Sequence, residues 1–497
     1  MKTIITILFA QLIKRRNQKW ISQPIQWQSK TFNKLLTSAS STSFGQDHEF
    51  SKISSYEDFK QRVPVRDYEG LKPYVDRVVE GEKNILWPGQ PLYFAKTSGT
   101  TSGAKYIPIT KQSIKTHINS ARDALLNYFL KTKNFKPING KHMFLQGSPE
   151  LDKQNGIYLG RLSGISAHYI PKLFLNNRKP SWSTNCIDDW EEKVDKIIEE
   201  TVGEKMTIIA GIPSWVQMYF EKIVSNEKKT ISEVFPDLSL YVYGGVSYEP
   251  YRSTFDKLFG KNIDTLATFP ASEGFFGYQD DFSSNQTDLL LLLNNDIFYE
   301  FIESKNFLKG DYERISLKDV KLNVNYLLII STSAGLWAYN IGDTIKFTSI
   351  EPYKIIVTGR IKHFLSAFGE HVISEEVEKA MKLATANHNV TIREFTVAPN
   401  INPKQGLPRH EWYVEFETIP DDIKGFSATL EKEMISQNIY YKDLILGNII
   451  QPLDIVNVRK GGFNNYMRSV GRLGGQNKVP RLSNDRKIAD ILNNFNV

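Results

Sequence analysis

Between residues 141 and 268 the sequence alternates short apolar runs with longer stretches that carry apolar side chains at helical spacing. The short runs are HMFLQG, MTIIAG, LSLYVYGG and IDTLAT, and the longer stretches are DWEEKVDKIIEET, IPSWVQMYFEKIV and EPYRSTFDKLFG. Alternation of this kind predicts βαβ units, in which helices cover a layered sheet. The region therefore predicts a large α/β core.

The flanking regions follow different patterns. The first hundred residues read as helices, for example SYEDFKQRV and DYEGLKPYVDRVVEG. After Asp288 the strand-like runs come closer together, which predicts an antiparallel or mixed β subdomain. Beyond Gly359 and Arg360 a compact α/β unit follows. Because 497 residues exceed what one core usually holds, we expect two domains, residues 1–358 and 359–497.

Composition excludes several classes of protein. A net charge of +7 spread over so long a chain suits an enzyme that handles polyphosphates but does not argue for nucleic-acid binding. The single cysteine, Cys186, excludes intramolecular disulfides and thiolate zinc sites and favours a cytoplasmic location. The eight histidines lack the i, i+4 spacing of helical metal ligands, so no built-in transition metal is expected.

The first twenty residues contain an apolar stretch, IITILFAQLI, followed by Lys14, Arg15 and Arg16. The stretch is too short to span a bilayer, and no small-residue cleavage site follows it. It predicts an amphipathic helix that packs on the core, with a peripheral membrane anchor as the alternative. No membrane span is expected.

A dense group of hydroxyls and glycines lies in FAKTSGTTSGAKYIPIT, residues 94–110, which we place between an apolar strand and a helix. Backbone amides, hydroxyls and a lysine in such a loop can bind phosphate oxygens. The candidate residues are Ser98, Gly99, Thr100, Thr101, Ser102, Gly103 and Lys105. Ala104 and Tyr106 occupy positions where a kinase-type P-loop needs glycine and serine or threonine, so that class of loop is excluded.

The order of residues in this loop adds a resemblance. TSGTTSGAK followed by IPIT resembles the phosphate loop of the acyl-adenylate-forming superfamily, in the form found in the auxin-responsive acyl-acid amido synthetases. The segments TSFGQDHEF and NILWPGQPLYFAKTSGTT resemble the opening of that family, and the resemblance continues as far as Arg481. It implies a large N-terminal adenylation domain, α/β with mixed sheets, and a small mobile α+β C-terminal domain.

The segment TFPASEG, residues 268–274, follows a strand, where open α/β sheets bind ligands. Alone, its Ser-Glu pair would more often start a helix. The resemblance instead implies that Phe269 lies against the purine of ATP, Ser272 binds phosphate and Glu273 holds Mg²⁺. Upstream, Gly244 and Gly245 match the adenine-side glycine loop of the superfamily.

A third motif is YNIGD, residues 339–343, between two strand-like runs. Gly-Asp in that setting is usually an ordinary hairpin turn. The resemblance implies that Asp343 accepts both ribose hydroxyls of ATP, and it adds Tyr339 and Arg360 to the nucleotide site.

The resemblance also locates a hinge and a mobile lysine. The string that starts at Gly359 and runs through Glu370 to a helix at Ser374 matches the hinge of the superfamily, with the pivot near residues 359–363. Lys362 stands at the pivot, where many relatives of other branches carry aspartate. Lys478, in a basic, glycine-rich tail, matches the C-terminal lysine that stabilises charge during adenylation.

These features imply an ATP- and Mg²⁺-dependent ligase that activates a carboxylic acid as acyl-AMP and transfers the acyl group to an amino acid. The substrate carboxylate attacks ATP itself, which explains the lack of a G-x-S-x-G nucleophile motif. Transfer to coenzyme A is the alternative enzyme hypothesis. A basic nucleic-acid-binding protein is the non-enzymatic one, but it would leave Glu273 and Asp343 without a purpose. We expect small-molecule partners and a monomer.

Overall fold

A computed structural model describes residues 2–100, 103–170, 176–187, 189–246, 248–283, 288–307, 312–360, 364–370, 372–470 and 479–495. Its helices are α1 (Lys2–Ile21), α2 (Pro24–Ala39), α3 (Ser43–Asp47), α4 (Tyr56–Arg62), α5 (Tyr68–Val79), α6 (Lys111–Thr132), α7 (Leu162–Ala167), α8 (Trp182–Asn185), α9 (Trp190–Thr201), α10 (Pro213–Glu227), α11 (Ile231–Val234), α12 (Glu249–Phe259), α13 (Ser304–Phe307), α14 (Ser374–His388), α15 (Ile423–Gln437), α16 (Ile439–Leu446), α17 (Gly462–Ser469) and α18 (Lys487–Leu492).

The strands are β1 (Tyr93–Thr100), β2 (Gly103–Ile109), β3 (Lys141–Phe144), β4 (Asp152–Gln154), β5 (Ile157–Gly160), β6 (Arg178–Lys179), β7 (Met206–Ala210), β8 (Leu240–Tyr243), β9 (Asp264–Ala271), β10 (Gly274–Gln279), β11 (Leu289–Leu291), β12 (Ile297–Glu303), β13 (Ile315–Ser316), β14 (Asn325–Thr332), β15 (Tyr339–Ile350), β16 (Tyr353–Arg360), β17 (Phe364–Leu365), β18 (Val372–Ile373), β19 (Ile392–Asn400), β20 (Arg409–Phe416) and β21 (Asp454–Asn457).

A 12-stranded sheet forms the centre of the fold, in the order β13-β12-β14-β15-β16-β11-β10-β9-β8-β7-β3-β6. The half from β6 to β9 is parallel, and helices α9, α10 and α12 lie between its strands along the chain. These are the βαβ units that the alternating pattern predicts, and the predicted α/β class is confirmed.

The other half of this sheet, from β9 to β13, is antiparallel. It corresponds to the predicted β subdomain, but it continues the central sheet because β10 pairs with β9 on one side and with β11 on the other. Two predicted runs, LWAYNI and TIKFTS, merge into the single strand β15. The Gly342–Asp343 pair therefore lies inside a strand and forms no hairpin turn.

A second sheet, in the order β2-β1-β5-β4, carries the hydroxyl-rich segment. The prediction of a loop between a strand and a helix is only partly right, since β1 and β2 form an antiparallel hairpin before α6 begins. Thr110 joins hairpin and helix because its side chain accepts the Ser113 N–H at 3.1 Å and donates to the Ser333 carbonyl at 2.9 Å. The hairpin is thus anchored next to the central sheet.

Helix α1 packs against α6 through its inner face, where Ala10 and Trp20 are buried. Asn17 donates to Asp123 at 3.1 Å, and Arg16 forms an ion pair with the same carboxylate at 2.6 Å. The predicted N-terminal helix is present and packed, but the outer side of its first turns is apolar and exposed. Within the described residues, none of the helices has the length and hydropathy needed to cross a membrane.

The C-terminal part contains a three-stranded sheet, β19-β20-β21, together with helices α14 and α15. Its order of elements agrees with the compact unit expected after Arg360. A short connecting segment, Phe368–Glu370, contacts both parts of the chain: the Phe368 carbonyl accepts the Ser214 hydroxyl at 3.1 Å, and Glu370 bonds His410 at 2.9 Å. The division at residue 358 stays a prediction.

Candidate functional site

The glycine loop after β8 lies directly against β9. A side chain at Gly244 would bring its Cβ within 2.7 Å of Thr268 Oγ1 and 3.0 Å of Pro270 Cδ. Thr268 also donates its hydroxyl to the Tyr243 carbonyl at 2.8 Å. Gly245 has a positive φ of 83°, which favours glycine. Packing therefore requires glycine at position 244, and backbone conformation favours it at position 245. Because neither residue has a side chain, the main chain stays exposed to a ligand at this end of the parallel strands β8 and β9.

Ser272 and Glu273 form the two-residue turn between β9 and β10, since Ala271 pairs with Gly274. Both turn residues are half-buried. The pair therefore starts a hairpin and not a helix, which keeps the Glu273 carboxylate at the same end of the sheet as the glycine loop. Phe269 is buried, and its ring packs edge-to-face on Phe276 at 5.0 Å. Its stacking on a purine stays a prediction.

The β1–β2 hairpin is fixed by helix α5. The Tyr68 hydroxyl accepts the Tyr106 N–H at 2.9 Å, and burial raises the pKa of Tyr68 to about 12. Lys105, opposite Thr97 in the hairpin, has its ammonium group 5.8 Å from the centre of the Tyr68 ring. Lys105 is half-exposed. The candidate catalytic lysine is thus held on a strand, against an aromatic face.

A residue that sequence reasoning missed, Tyr440 at the start of α16, joins this hairpin to the Glu273 turn. Its hydroxyl donates to the Lys96 carbonyl at 3.0 Å. Burial raises the pKa of Tyr440, and the negative charge of Glu273 adds to the rise, whereas Thr97 and Arg161 oppose it. The C-terminal part therefore contacts the hairpin directly, at a tyrosine on which the charge of Glu273 also acts.

Arg161 holds α16 in this position. It follows β5, which pairs in parallel with β1, so it lies at the same end of the small sheet as Lys96. Its guanidinium group lies 5.1 Å from the centre of the Tyr440 ring and forms an ion pair with Asp443. Both charged side chains keep about a quarter of their surface exposed, 27% and 28%. The only feature of the sequence that could have drawn attention to this contact is the pair of adjacent tyrosines, Tyr440 and Tyr441, of which Tyr441 is buried.

Asp343 lies on β15 and is buried, 5% exposed. The strand register sets it opposite Arg360, the last residue of β16. Tyr339 begins the same strand and is almost fully buried, pairing with Ile330. The structure thus brings three of the predicted nucleotide ligands to one strand pair. Contact of these residues with a ribose stays a prediction.

Several predicted residues cannot be placed. Lys478, Thr101, Ser102 and the pivot residue Lys362 lie outside the described residues. For Ser98, Thr100 and Arg360 the strand is described but the side-chain positions are not, and for Gly99 only the strand is described. Their roles stay predictions that rest on the family resemblance.

The metal-binding side chains of the described residues suit a magnesium ion that is bound together with a nucleotide better than a metal ion held by the protein alone. Among the described residues there is no cluster of three or more histidine, cysteine, aspartate or glutamate side chains that could hold a metal. Mg²⁺ usually binds through one or two carboxylates, with phosphate and water oxygens completing its shell. Glu273, in the β9–β10 turn, provides one such carboxylate.

The fold is similar to those of solved acyl acid amido synthetases and coenzyme A ligases. The structure superposes on the GH3.15 acyl acid amido synthetase in complex with 2,4-DB with a TM-score of 0.63, 16% identity and coverage of 98% of this chain and 96% of the other. It superposes on a 2-hydroxyisobutyryl-CoA ligase in complex with 2-HIB-AMP and CoA with a TM-score of 0.59, 13% identity and coverage of 97% and 92%.

The chain belongs to the GH3 family. The N-terminal domain of that family matches residues 14–176 and 145–263, the central domain residues 290–360 and the C-terminal domain residues 375–487. Jasmonoyl–L-amino acid synthetase JAR4 of Nicotiana attenuata is 21% identical over 91% of this chain and 90% of its own length. Indole-3-acetic acid-amido synthetase GH3.3 of Arabidopsis thaliana is 21% identical over 94% and 90%. The predicted family resemblance is confirmed.

Proposed function

We propose that this protein is an acyl-acid amido synthetase, which uses ATP to activate a carboxylic acid and then joins the acyl group to an amino acid. The observation that carries the proposal is the contact of the start of α16 with the β1–β2 hairpin, at a tyrosine on which the charge of the Glu273 turn also acts. A phosphate-binding hairpin beside a carboxylate, with a second domain reaching both, is what a two-step adenylating enzyme needs.

In the first step the substrate carboxylate attacks the α-phosphorus of ATP, which forms the acyl adenylate and releases pyrophosphate. Two anions must approach each other, so the protein has to align them and offset their repulsion. We assign that task to Lys105, Lys478 and the amides around Gly99 and Gly103. Glu273 would hold Mg²⁺, which neutralises phosphate charge when bound.

The nucleotide would be oriented by the main chain at Gly244 and Gly245 and by Asp343. A carboxylate has two oxygens in one plane, so Asp343 can accept both hydroxyls of a ribose. The rigid packing of Gly244 on Thr268 and Pro270 supports a fixed position for the purine side of the site. Phe269, Ser272, Tyr339 and Arg360 complete the proposed nucleotide site.

In the second step the amine of an amino acid attacks the acyl carbonyl, which forms the amide, releases AMP and frees a proton. We propose that residues 359–497 rotate about a hinge near residues 359–363 between the two steps, which would bring Lys478 to the site for adenylation only. The relatives whose names specify amido synthetases support an amino acid as acceptor. The single cysteine supports a cytoplasmic location.

The proposal is tested by mixing the protein with ATP, Mg²⁺ and a panel of carboxylic acids, with hydroxylamine as a generic acceptor, and measuring pyrophosphate. Acids that give pyrophosphate are then offered with amino acids or with coenzyme A, and the products are identified by mass spectrometry. An amide product supports the proposal. A thioester product would assign the protein to the coenzyme A ligases, and no pyrophosphate with any acid would remove the ligase function altogether.

A further inference from the structure

The outer face of helix α1 exposes a group of large apolar side chains. They lie on neighbouring turns, at positions i, i+1, i+4, i+5 and i+8 of the helix, so they form one continuous patch. The patch consists of Ile4, Ile5, Leu8, Phe9 and Leu12, which are 63%, 59%, 58%, 42% and 60% exposed. Contiguous apolar surface of this kind marks an interaction site far more often than isolated exposed residues do.

The second half of the same helix is basic. Lys14, Arg15 and Lys19 are exposed, and α1 as a whole carries five basic and no acidic residues. Arg16 is neutralised by Asp123. On the neighbouring helix α6, the Arg122 guanidinium group lies 5.5 Å from the centre of the Phe9 ring and shares the Asp123 carboxylate with Arg16, so the two arginines and one carboxylate leave a single net positive charge at the edge of the patch.

We propose that this patch, the apolar outer face of α1 with its flanking basic residues, seats the protein on an anionic lipid surface. The helix would lie in the plane of the bilayer interface, with its apolar side chains among the acyl chains and its cations at the head groups. It does not span the membrane, since its outer apolar face covers only about the first three turns and its inner face is packed on α6.

The charge distribution favours a lipid surface over a second copy of the chain. In a parallel pair of α1 helices the basic halves would face each other, and in an antiparallel pair each apolar half would face the basic half of its partner. Either arrangement sets like charges together or buries cations against apolar side chains. An anionic bilayer instead satisfies both halves at once, because it offers an apolar interior beneath a negatively charged surface.

The proposal is tested by vesicle flotation, with vesicles of phosphatidylcholine alone and of phosphatidylcholine mixed with phosphatidylglycerol. We expect the protein to float with the mixed vesicles and to dissociate at high salt. The double variant Leu8→Gln, Leu12→Gln should lower the partition coefficient about tenfold or more, because both side chains would lose their apolar contacts. The double variant Arg15→Gln, Lys19→Gln, which removes the two exposed cations on the same face of α1 as the patch, should lower it by about fivefold for each charge removed.

Two matched control variants distinguish binding through the patch from non-specific binding to vesicles. Leu322→Gln, Ile419→Gln removes two comparably exposed apolar side chains elsewhere, and Lys318→Gln, Lys404→Gln removes two exposed cations elsewhere. Neither should change flotation. Absence of flotation with the mixed vesicles would overturn the proposal. So would a concentration-dependent dimer in sedimentation velocity that Leu8→Gln, Leu12→Gln abolishes, since the patch would then belong to a second copy. Flotation requires no catalysis, so it is independent of the proposed activity.

Discussion

The C-terminal part of the chain contacts the central sheet region at two places that differ in kind. At the Phe368–Glu370 segment the contact is buried: the Ser214 hydroxyl donates to the Phe368 carbonyl and the Tyr251 hydroxyl to the Ala367 carbonyl. Glu370 in turn ties this segment to His410 within the C-terminal part, and both of these side chains are fully inaccessible. At α16 the contact is polar and partly exposed, through Tyr440 and the Arg161–Asp443 ion pair. The first contact is built to persist, and the second can be exchanged for water at low cost.

This difference matters for an enzyme with two successive steps. A domain that swings needs one attachment that stays and one that releases. The buried Glu370 segment lies just after the proposed pivot, whereas the α16 contact is at the cleft where chemistry would occur. Breaking each contact separately should therefore have different consequences, and the following variants are ordered from the largest expected effect to the smallest.

Glu370→Ala should destabilise the folded protein by about 3 kcal/mol or more, because it leaves His410 buried without its carboxylate partner. It also removes the acceptor of the Phe368 N–H, at 2.8 Å. Thermal and urea unfolding measure the loss, with the exposed Glu313→Ala as the control. A change no larger than that of the control would mean that the buried contact is not a fixed attachment.

Lys478→Ala should slow adenylate formation by roughly a hundredfold while ATP binding is largely kept, because the lysine is proposed to stabilise charge that develops only during attack. The measurement is acid-dependent pyrophosphate release beside ATP affinity from calorimetry. Lys432→Ala, a change of an exposed lysine in the same part of the chain, is the control. A variant that binds ATP poorly but turns over normally when saturated would reverse the assignment.

Asp343→Ala should weaken ATP binding by roughly thirtyfold, since hydrogen bonds to a charged group contribute about 2 kcal/mol. Asp343 lies in the central sheet and Lys478 in the C-terminal part, so the Asp343 variant should weaken ATP binding in both orientations of the proposed rotation. Calorimetry with ATP measures the effect, and thermal unfolding without ATP separates it from damage to the fold. The exposed Asp421→Ala is the control. Unchanged affinity would show that Asp343 has no part in nucleotide binding.

Asp443→Asn should have the smallest effect, because ion pairs with about a quarter of their surface exposed contribute about 1 kcal/mol or less. We expect one of the two half-reactions to slow by a few-fold and the other to be unchanged or faster, since the proposed rotation would make the contact in one orientation and break it in the other. The half-reactions are measured separately, by pyrophosphate release and by amide formation from pre-formed acyl adenylate.

Tyr440→Phe is the companion of that variant. It removes only the hydrogen bond to the Lys96 carbonyl and should affect the same half-reaction as Asp443→Asn. If either variant slowed both half-reactions equally, the α16 contact would be a permanent part of the interface and the contrast with Glu370 would disappear.

The sequence predicted the parallel half of the sheet because its period is local. Runs such as MTIIAG and helical stretches such as EPYRSTFDKLFG carry their own apolar pattern, and β7 and α12 appear where these patterns lie. The family motifs also single out Gly244, Glu273 and Asp343, whose roles in nucleotide binding stay predictions. Local pattern failed at the motifs themselves. The composition of Gly342-Asp343 predicts a turn, but the pair lies within β15. The Ser272-Glu273 pair predicts the start of a helix, but it forms the β9–β10 turn.

The α16 contact could not be predicted for a different reason. Arg161 and Asp443 are 282 residues apart, and each is an ordinary surface residue when viewed within its own segment. Only the packing of two parts of the chain brings them together, so no periodicity or motif marks them. Tyr440 differs from the buried Tyr441 in which surface it faces, and a single sequence does not contain that information.

The register of β15 and β16 has a mechanical consequence. Asp343 is paired with Arg360, and Arg360 is also the final residue of its strand, immediately before the proposed pivot. If the hinge lies there, the Asp343–Arg360 pair marks the point where the sheet ends and the bending segment would begin. A nucleotide whose ribose is bound by Asp343 would then stabilise this pair and fix the start of the hinge.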